Sequence, residues 1–236
     1  MITSEIELQL SEMAEGLVGS EIIKLAGEVK AKVAAGASIA NLTIGDFNPT
    51  VFPIPKELKN NIIEAYEDGH TNYPMANGMI ELRTEVSKYI NKRQHLDYDP
   101  EEFLIASGAR PLIYAAYQTI LDPEDTVVFP VPSWNNNHYT HLSNGHPVYI
   151  ETSAEDNFMP TAANLKPHIS DASLIALCSP LNPTGTVFKR ETLSAICDLV
   201  LAENKRRGPA KKPVYVLFDQ IYWALTYGNT EHCDPV

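Results

Sequence analysis

The chain has 236 residues, 44% hydrophobic and 20% charged, enough apolar material for one large domain or one domain with a small appendage, and too much for wholesale disorder. Its formal charge of −12 opposes attraction to nucleic acid or anionic lipid, because the summed field repels both. Cys178, Cys197 and Cys233 are widely separated, which excludes the spacing of a zinc ribbon or a redox pair and favours a reducing compartment.

The first twenty residues carry Glu5, Glu7, Glu12 and Glu15 without a basic start and an apolar run, so no secretory signal is expected. No stretch reaches the roughly 20 apolar residues of a membrane-spanning helix. A soluble, cytoplasmic, globular protein is the expectation. In chain order, Ile22, Ile23, Leu25, Ala26, Val29 and Val33 recur at helical spacing and predict a helix over 20–35, stopped by Gly36. Asn41 to Gly45 reads as a short strand. Pro49, Pro53 and Pro55 then mark an irregular connector. Helices are expected over 56–68 and 78–94, the second with Ile80, Leu82, Val86, Tyr89 and Ile90 on one stripe, and 70–78 is a loop between them.

From about residue 103 short apolar runs alternate with helical stretches, the pattern of a mainly parallel sheet covered by helices. Strands are predicted at Phe103–Ala106, Thr126–Phe129, Val148–Ile150, Leu174–Cys178 and Val214–Phe218, and helices near 110–121, 134–143 and 190–206. The basic run Lys205, Arg206, Arg207, Lys211 and Lys212 flanks Gly208 and Pro209 and reads as a solvated helix end and turn.

Four segments carry chemistry-bearing residues. Ser107, Gly108, Ala109 and Arg110 run from a strand end into a helix whose first turn accommodates Pro111. Free N–H groups and the macrodipole at such a joint favour an anion, although a plain turn has the same composition. Asn182 is bracketed by Pro180 and Pro183, which fixes where its amide points. It is either a neutral donor for a phenolate-type oxygen or part of a turn that ends the strand. Asp219 leaves the end of a very apolar strand, where open α/β sheets place ligands. It suits a protonated ring nitrogen, and helix capping is the plainer reading. Trp134 stands just beyond another strand end, where an indole stacks on a flat heterocycle or fills a core. His138 is a candidate orienting group or a helix-cap residue.

These segments in this order, with Tyr73 before Gly78 and the turn from Ile44 through Gly45, Asp46, Phe47 and Asn48 to Pro49, resemble the class I aminotransferases of the fold-type I pyridoxal-phosphate enzymes. The likeness runs from about residue 20 to residue 227. The Ser179 to Gly185 segment and the Asp219-Gln220-Ile221-Tyr222 segment are its most diagnostic parts.

The resemblance implies a three-layer α/β/α sandwich with a mainly parallel sheet. Residues 1–48 would form an N-terminal arm and part of a small domain, and 49–236 a large cofactor domain that is incomplete. It implies pyridoxal 5′-phosphate as cofactor, an amino acid and a 2-oxo acid as substrates, no metal, and a homodimer with a shared site. Ser107, Gly108 and Ala109 match the phosphate-binding turn, and Trp134 the aromatic that stacks on the pyridine ring. Asn182 and Tyr222 match the pair on the ring's 3-oxygen, and Asp219 the carboxylate under the ring nitrogen. Tyr73 matches the residue that reaches the neighbouring subunit's phosphate, and Gly45 the glycine whose backbone lies against the substrate carboxylate.

Three positions depart from the family pattern. Ala109 stands where many relatives have a hydroxyl, Arg110 is an unusual neighbour, and Gln220 replaces an acidic residue; the first would weaken phosphate binding unless the Arg110 charge compensates. The resemblance also places the lysine that carries the cofactor in a Ser-x-x-Lys segment after Asp219. Lys189, Lys205, Lys211 and Lys212 all precede that aspartate and lie in the wrong order. The 236-residue chain is therefore expected to be inactive alone, with apolar surface left exposed where its sheet is incomplete. The same frame serves C–S lyases and decarboxylases, and the anion-binding turn by itself would also suit a non-catalytic α/β ligand-binding module.

Overall fold

The computed structural model describes residues 9–45 and 48–235. The chain divides into two compact units, one of 16–76 and one of 1–15 with 77–236.

The 16–76 unit contains helices α2 (Glu21–Ala34) and α3 (Lys56–Glu67), both where hydrophobic spacing predicts them; the short α1 (Glu12–Glu15) belongs to the other unit. None of the described residues of the 16–76 unit is buried. The strand expected over Asn41–Gly45 is absent. The Asn41 side chain accepts from the Thr43 N–H at 3.1 Å and the Thr43 hydroxyl at 2.7 Å, so a local turn takes the groups a ladder would use. Asp46 and Phe47 of the adjoining motif lie outside the described residues.

The larger unit is built on four parallel strands: β1 (Thr126–Val131), β2 (His146–Glu151), β3 (Ala172–Cys178) and β4 (Tyr215–Asp219), in the order β2-β1-β3-β4. All four fall on predicted apolar runs. The central β3 is buried along its whole length, as a strand covered on both faces requires. Val127, Phe129, Leu174 and Ala176 pack into one core, and Val128, Ile175 and Leu177 into another, the period-two alternation of side chains across a pleated sheet.

The first core is closed by α5 (Ala109–Ile120) and α6 (Asn136–Leu142), through Tyr117, Leu121 and Tyr139. The second is closed by α7 (Ala162–Leu165) and α8 (Arg190–Arg207), through Leu165, Leu193, Ile196 and Val200. Helix, sheet and helix therefore form the three layers. Helix α4 (Ile80–Gln94) precedes them, anchored by the buried Arg83, which donates to the carbonyls of Gly78 at 3.2 Å and Pro100 at 3.0 Å. Among the described residues no helix is long and apolar enough to cross a membrane.

Two sequence expectations are corrected here. Phe103–Ala106 is no strand: Phe103 has extended backbone angles, yet the segment's Ile105 N–H goes to the Asn77 carbonyl at 3.1 Å rather than into a ladder. Extended conformation is local, and a strand needs a neighbour. The basic run is not wholly solvated either. Arg207 bends back under the sheet, its side chain 2% exposed, pairing with Glu203 at 2.8 Å and donating to the carbonyls of Ala172 at 2.8 Å and Lys212 at 2.7 Å. Lys212 bridges Asp122 at 2.5 Å and Asp125 at 2.6 Å. A guanidinium fork satisfies several carbonyls at once, which makes its burial tolerable.

Candidate active site

The C-terminal ends of β1, β3 and β4 open on the same edge of the parallel sheet, and α5 begins beside them. Gly108 turns the chain into α5 with φ 119 and ψ 170, a conformation that suits glycine, and no side chain caps the helix. An added Cβ there would meet nothing within 4 Å, so the approach to the backbone is open. The first N–H groups of a helix have no internal partner, and Pro111 carries none, which leaves those of Ala109 and Arg110 facing the turn. Ser107 and Arg110 are exposed and Ala109 is half-buried.

Trp134 follows β1 through Pro132 and Ser133 and is half-buried. The Arg110 guanidinium carbon lies 5.6 Å from its ring centroid, which brings the 107–110 turn and the indole together. Asn135 then adopts a left-handed conformation, φ 58, and starts α6.

Asp219 ends β4. Leu217 packs on the α5 side of the sheet, and Asp219, two residues on, shares that face. A cleft of about 350 Å³ runs between α5 and this strand end, lined among others by Ala109, Leu112, Ile113, Leu217 and Asp219. Burial pushes the Asp219 carboxyl above the ordinary carboxylate range, against the Ile221 N–H, which donates to it at 3.1 Å and favours the charged form. The cross-strand neighbour Cys178 is pushed up to about 12, first by burial and then by the Asp219 charge. Tyr139 on α6 is also raised by burial, lowered by Arg110 and raised by Asp219. Among the described residues no ion pair holds the Asp219 carboxylate, and the Ile221 N–H is what favours its charged form.

Asn182 sits in a turn closed by Gly185 N–H to Leu181 O at 2.7 Å and Leu181 N–H to Thr186 O at 2.8 Å. Beneath it, the Ser179 N–H donates to the Asp219 carbonyl at 3.0 Å, which ties the β3 and β4 ends together. Tyr222 stands in the turn after β4, 37% exposed, and among the described residues no hydrogen bond joins it to Asn182. Gly45 and the exposed Tyr73 belong to the 16–76 unit. His138 lies in the first turn of α6 with its N–H on the Asn135 carbonyl at 3.0 Å. No cluster of three or more metal-ligating side chains occurs among the described residues.

Sequence reading overlooked Tyr117 and Asn136. Both are buried, and the Tyr117 hydroxyl donates to the Asn136 side-chain oxygen at 3.1 Å. The available signal was a tyrosine on the apolar stripe of α5, four residues after Ile113, whose hydroxyl needs a partner once buried.

A parallel sheet between two helical layers, with the Gly108 turn, Trp134 and the desolvated Asp219 at the C-terminal ends of its strands, defines an open α/β class that places ligands at that edge. Residues 37–235 match the family model of aminotransferase class I and II, and the chain belongs to that family. It is 31% identical over 229 residues to an aspartate aminotransferase of Geobacillus stearothermophilus, covering 95% of this chain and 55% of the relative. The aspartate aminotransferase of Bacillus subtilis is 29% identical over 229 residues with the same coverage. The solved aspartate aminotransferase from Thermus thermophilus with maleate superposes with a TM-score of 0.85 at 26% identity, over 97% of this chain and 57% of that one. The chain spans about half the length of the curated relatives it matches.

Members of this family depend on pyridoxal phosphate. The residues present are compatible with that group in their chemistry: the exposed turn at Gly108 leaves the start of α5 accessible to a phosphate, and a cation such as a protonated ring nitrogen would favour the charged form of the desolvated Asp219 carboxyl.

Proposed function

We propose that the whole protein is an aminotransferase that moves an amino group between an amino acid and a 2-oxo acid. The observation that carries this is Asp219, desolvated at the β4 end and sharing a cleft with the first turn of α5. When bound, pyridoxal phosphate supplies the electron sink this exchange needs.

The roles of the chain's own groups follow from their chemistry. The N–H groups of Ala109 and Arg110, with the Ser107 hydroxyl and the Arg110 charge, hold a phosphate dianion at the α5 N-terminus. Trp134 covers one face of the ring and excludes water from it. Asp219 keeps a proton on the ring nitrogen, because an adjacent carboxylate favours the charged pyridinium. Asn182 and Tyr222 donate to the 3-oxygen and hold it ionised. Tyr73 serves the phosphate of a neighbouring subunit in a homodimer, and the Gly45 backbone lies against the substrate carboxylate; both rest on the family resemblance alone. The acidic charge and sparse cysteines support a cytoplasmic protein.

The test is to incubate the full-length protein with pyridoxal phosphate, single amino acids and 2-oxo acids, and to identify the products. New amino acid and new 2-oxo acid in equal amounts support transamination. Release of ammonia, thiol or carbon dioxide instead would overturn it.

A further inference from the structure

Two helices carry the halves of the proposed cofactor site. Helix α5 starts at the anion turn, and α6 starts two residues after the Trp134 indole. The link between them is polar and buried. Tyr117, fully buried in the third turn of α5, donates its hydroxyl to the Asn136 side-chain oxygen at 3.1 Å, and Asn136 is the first residue of α6. The Asn136 carbonyl in turn accepts from the buried Thr140 hydroxyl at 2.7 Å, and Tyr139 tilts against the Tyr117 ring at 5.6 Å between centroids.

A core contact made only of methyl groups fixes a distance loosely, since rotamers slide at small cost. A hydrogen bond between two buried groups fixes both distance and direction, because leaving either group unpaired costs its full desolvation.

We propose that Tyr117 and Asn136 form a clamp that sets the spacing between the Ser107–Arg110 turn and the Trp134 indole, and so act as positioning residues for a ligand carrying a phosphate and a flat ring. The inference rests on the cofactor reading above. Neither Tyr117 nor Asn136 lines the cleft beside Asp219. The clamp acts through the backbone of α5 on one side and the Trp134-Asn135-Asn136 segment on the other.

The test uses the full-length protein with Trp223→Phe, so that Trp134 is the only tryptophan reporting from the described residues, and measures pyridoxal phosphate binding by quenching of its fluorescence. Tyr117→Phe keeps the ring and deletes the hydroxyl, and roughly tenfold weaker binding with a changed quench is expected. The double variant Tyr117→Phe with Asn136→Leu removes both polar partners. Its melting temperature should recover toward that of the parent, because two matched apolar groups leave nothing unsatisfied. Its affinity should stay low. Recovery of affinity together with melting temperature would show that the pair only stabilises the fold and would overturn the clamp. Parent-like binding by Tyr117→Phe would overturn it as well. A parent protein that fails to bind pyridoxal phosphate at all defeats the cofactor reading first, and the clamp with it.

Discussion

The guanidinium of Arg110 lies over the indole of Trp134, its central carbon 5.6 Å from the ring centroid, although the two residues come from different elements of the sheet edge. Arg110 leaves the first turn of α5 and Trp134 follows β1, so the contact is a tertiary one. A cation held here stands both at a helix start and on an aromatic face. If the turn holds a phosphate as proposed, that arrangement supplies charge where Ala109 offers no hydroxyl.

Arg110→Ala should therefore weaken pyridoxal phosphate binding about tenfold, and the loss should shrink as salt is raised, because the charge is exposed and screened. Stability should fall by no more than about 1 kcal/mol, the worth of an exposed cation–π contact. Titrations at low and high ionic strength, with thermal melts, check both.

Gly108→Ala should cost about 1–3 kcal/mol of stability, since φ 119 is strained for any residue with a Cβ even though the space around it is open. It should also weaken phosphate binding by crowding the backbone. Gly78→Ala should be worse. Its φ is 96, and the new Cβ would stand 2.6 Å from the Cβ of Ile105. Comparative melts of the two variants decide the order.

Asp219→Asn should trade stability against binding. The folded carboxyl titrates above its unfolded value, so the folded state prefers the proton. The penalty is absent below the ordinary carboxylate range, grows as pH rises through the raised value, and is complete above it. Without cofactor, Asp219→Asn should melt higher than the parent at about pH 7 and equal it at about pH 3. Pyridoxal phosphate affinity should drop roughly 100-fold, as expected when one partner of a buried charge pair is lost. A variant that binds like the parent would remove Asp219 from the site.

Arg207→Met should destabilise the larger unit by about 3 kcal/mol, because it removes the buried one of Glu203's two arginine partners and leaves the carbonyls of Ile169, Ala172 and Lys212 without their donor. Paired with Arg206 and Arg207, Glu203 is held down to about 2. Its contribution is present above the unfolded carboxylate pKa and is lost as pH falls through the folded one. Acid unfolding of Arg207→Met should begin at higher pH than that of the parent, measured by circular dichroism.

What the sequence determined on its own is what local pattern dictates. Apolar runs named all four strands of the sheet, and helical spacing named α2, α3, α4, α5, α6 and α8. The order of Gly108, Trp134, Asn182 and Asp219 along the chain carried the resemblance to the aminotransferase family, which the match over residues 37–235 bears out. What needed distant partners was settled only by tertiary structure. Asn41–Gly45 and Phe103–Ala106 had the composition of strands, and no neighbour for either could be read from composition. Arg207 looked solvated because its carbonyl partners, Ile169, Ser170 and Ala172, lie more than thirty positions away. The same holds for Tyr117 with Asn136 and Arg110 with Trp134. Periodicity tells which face of an element is buried, whereas the identity of the group that meets it there depends on how the layers stack.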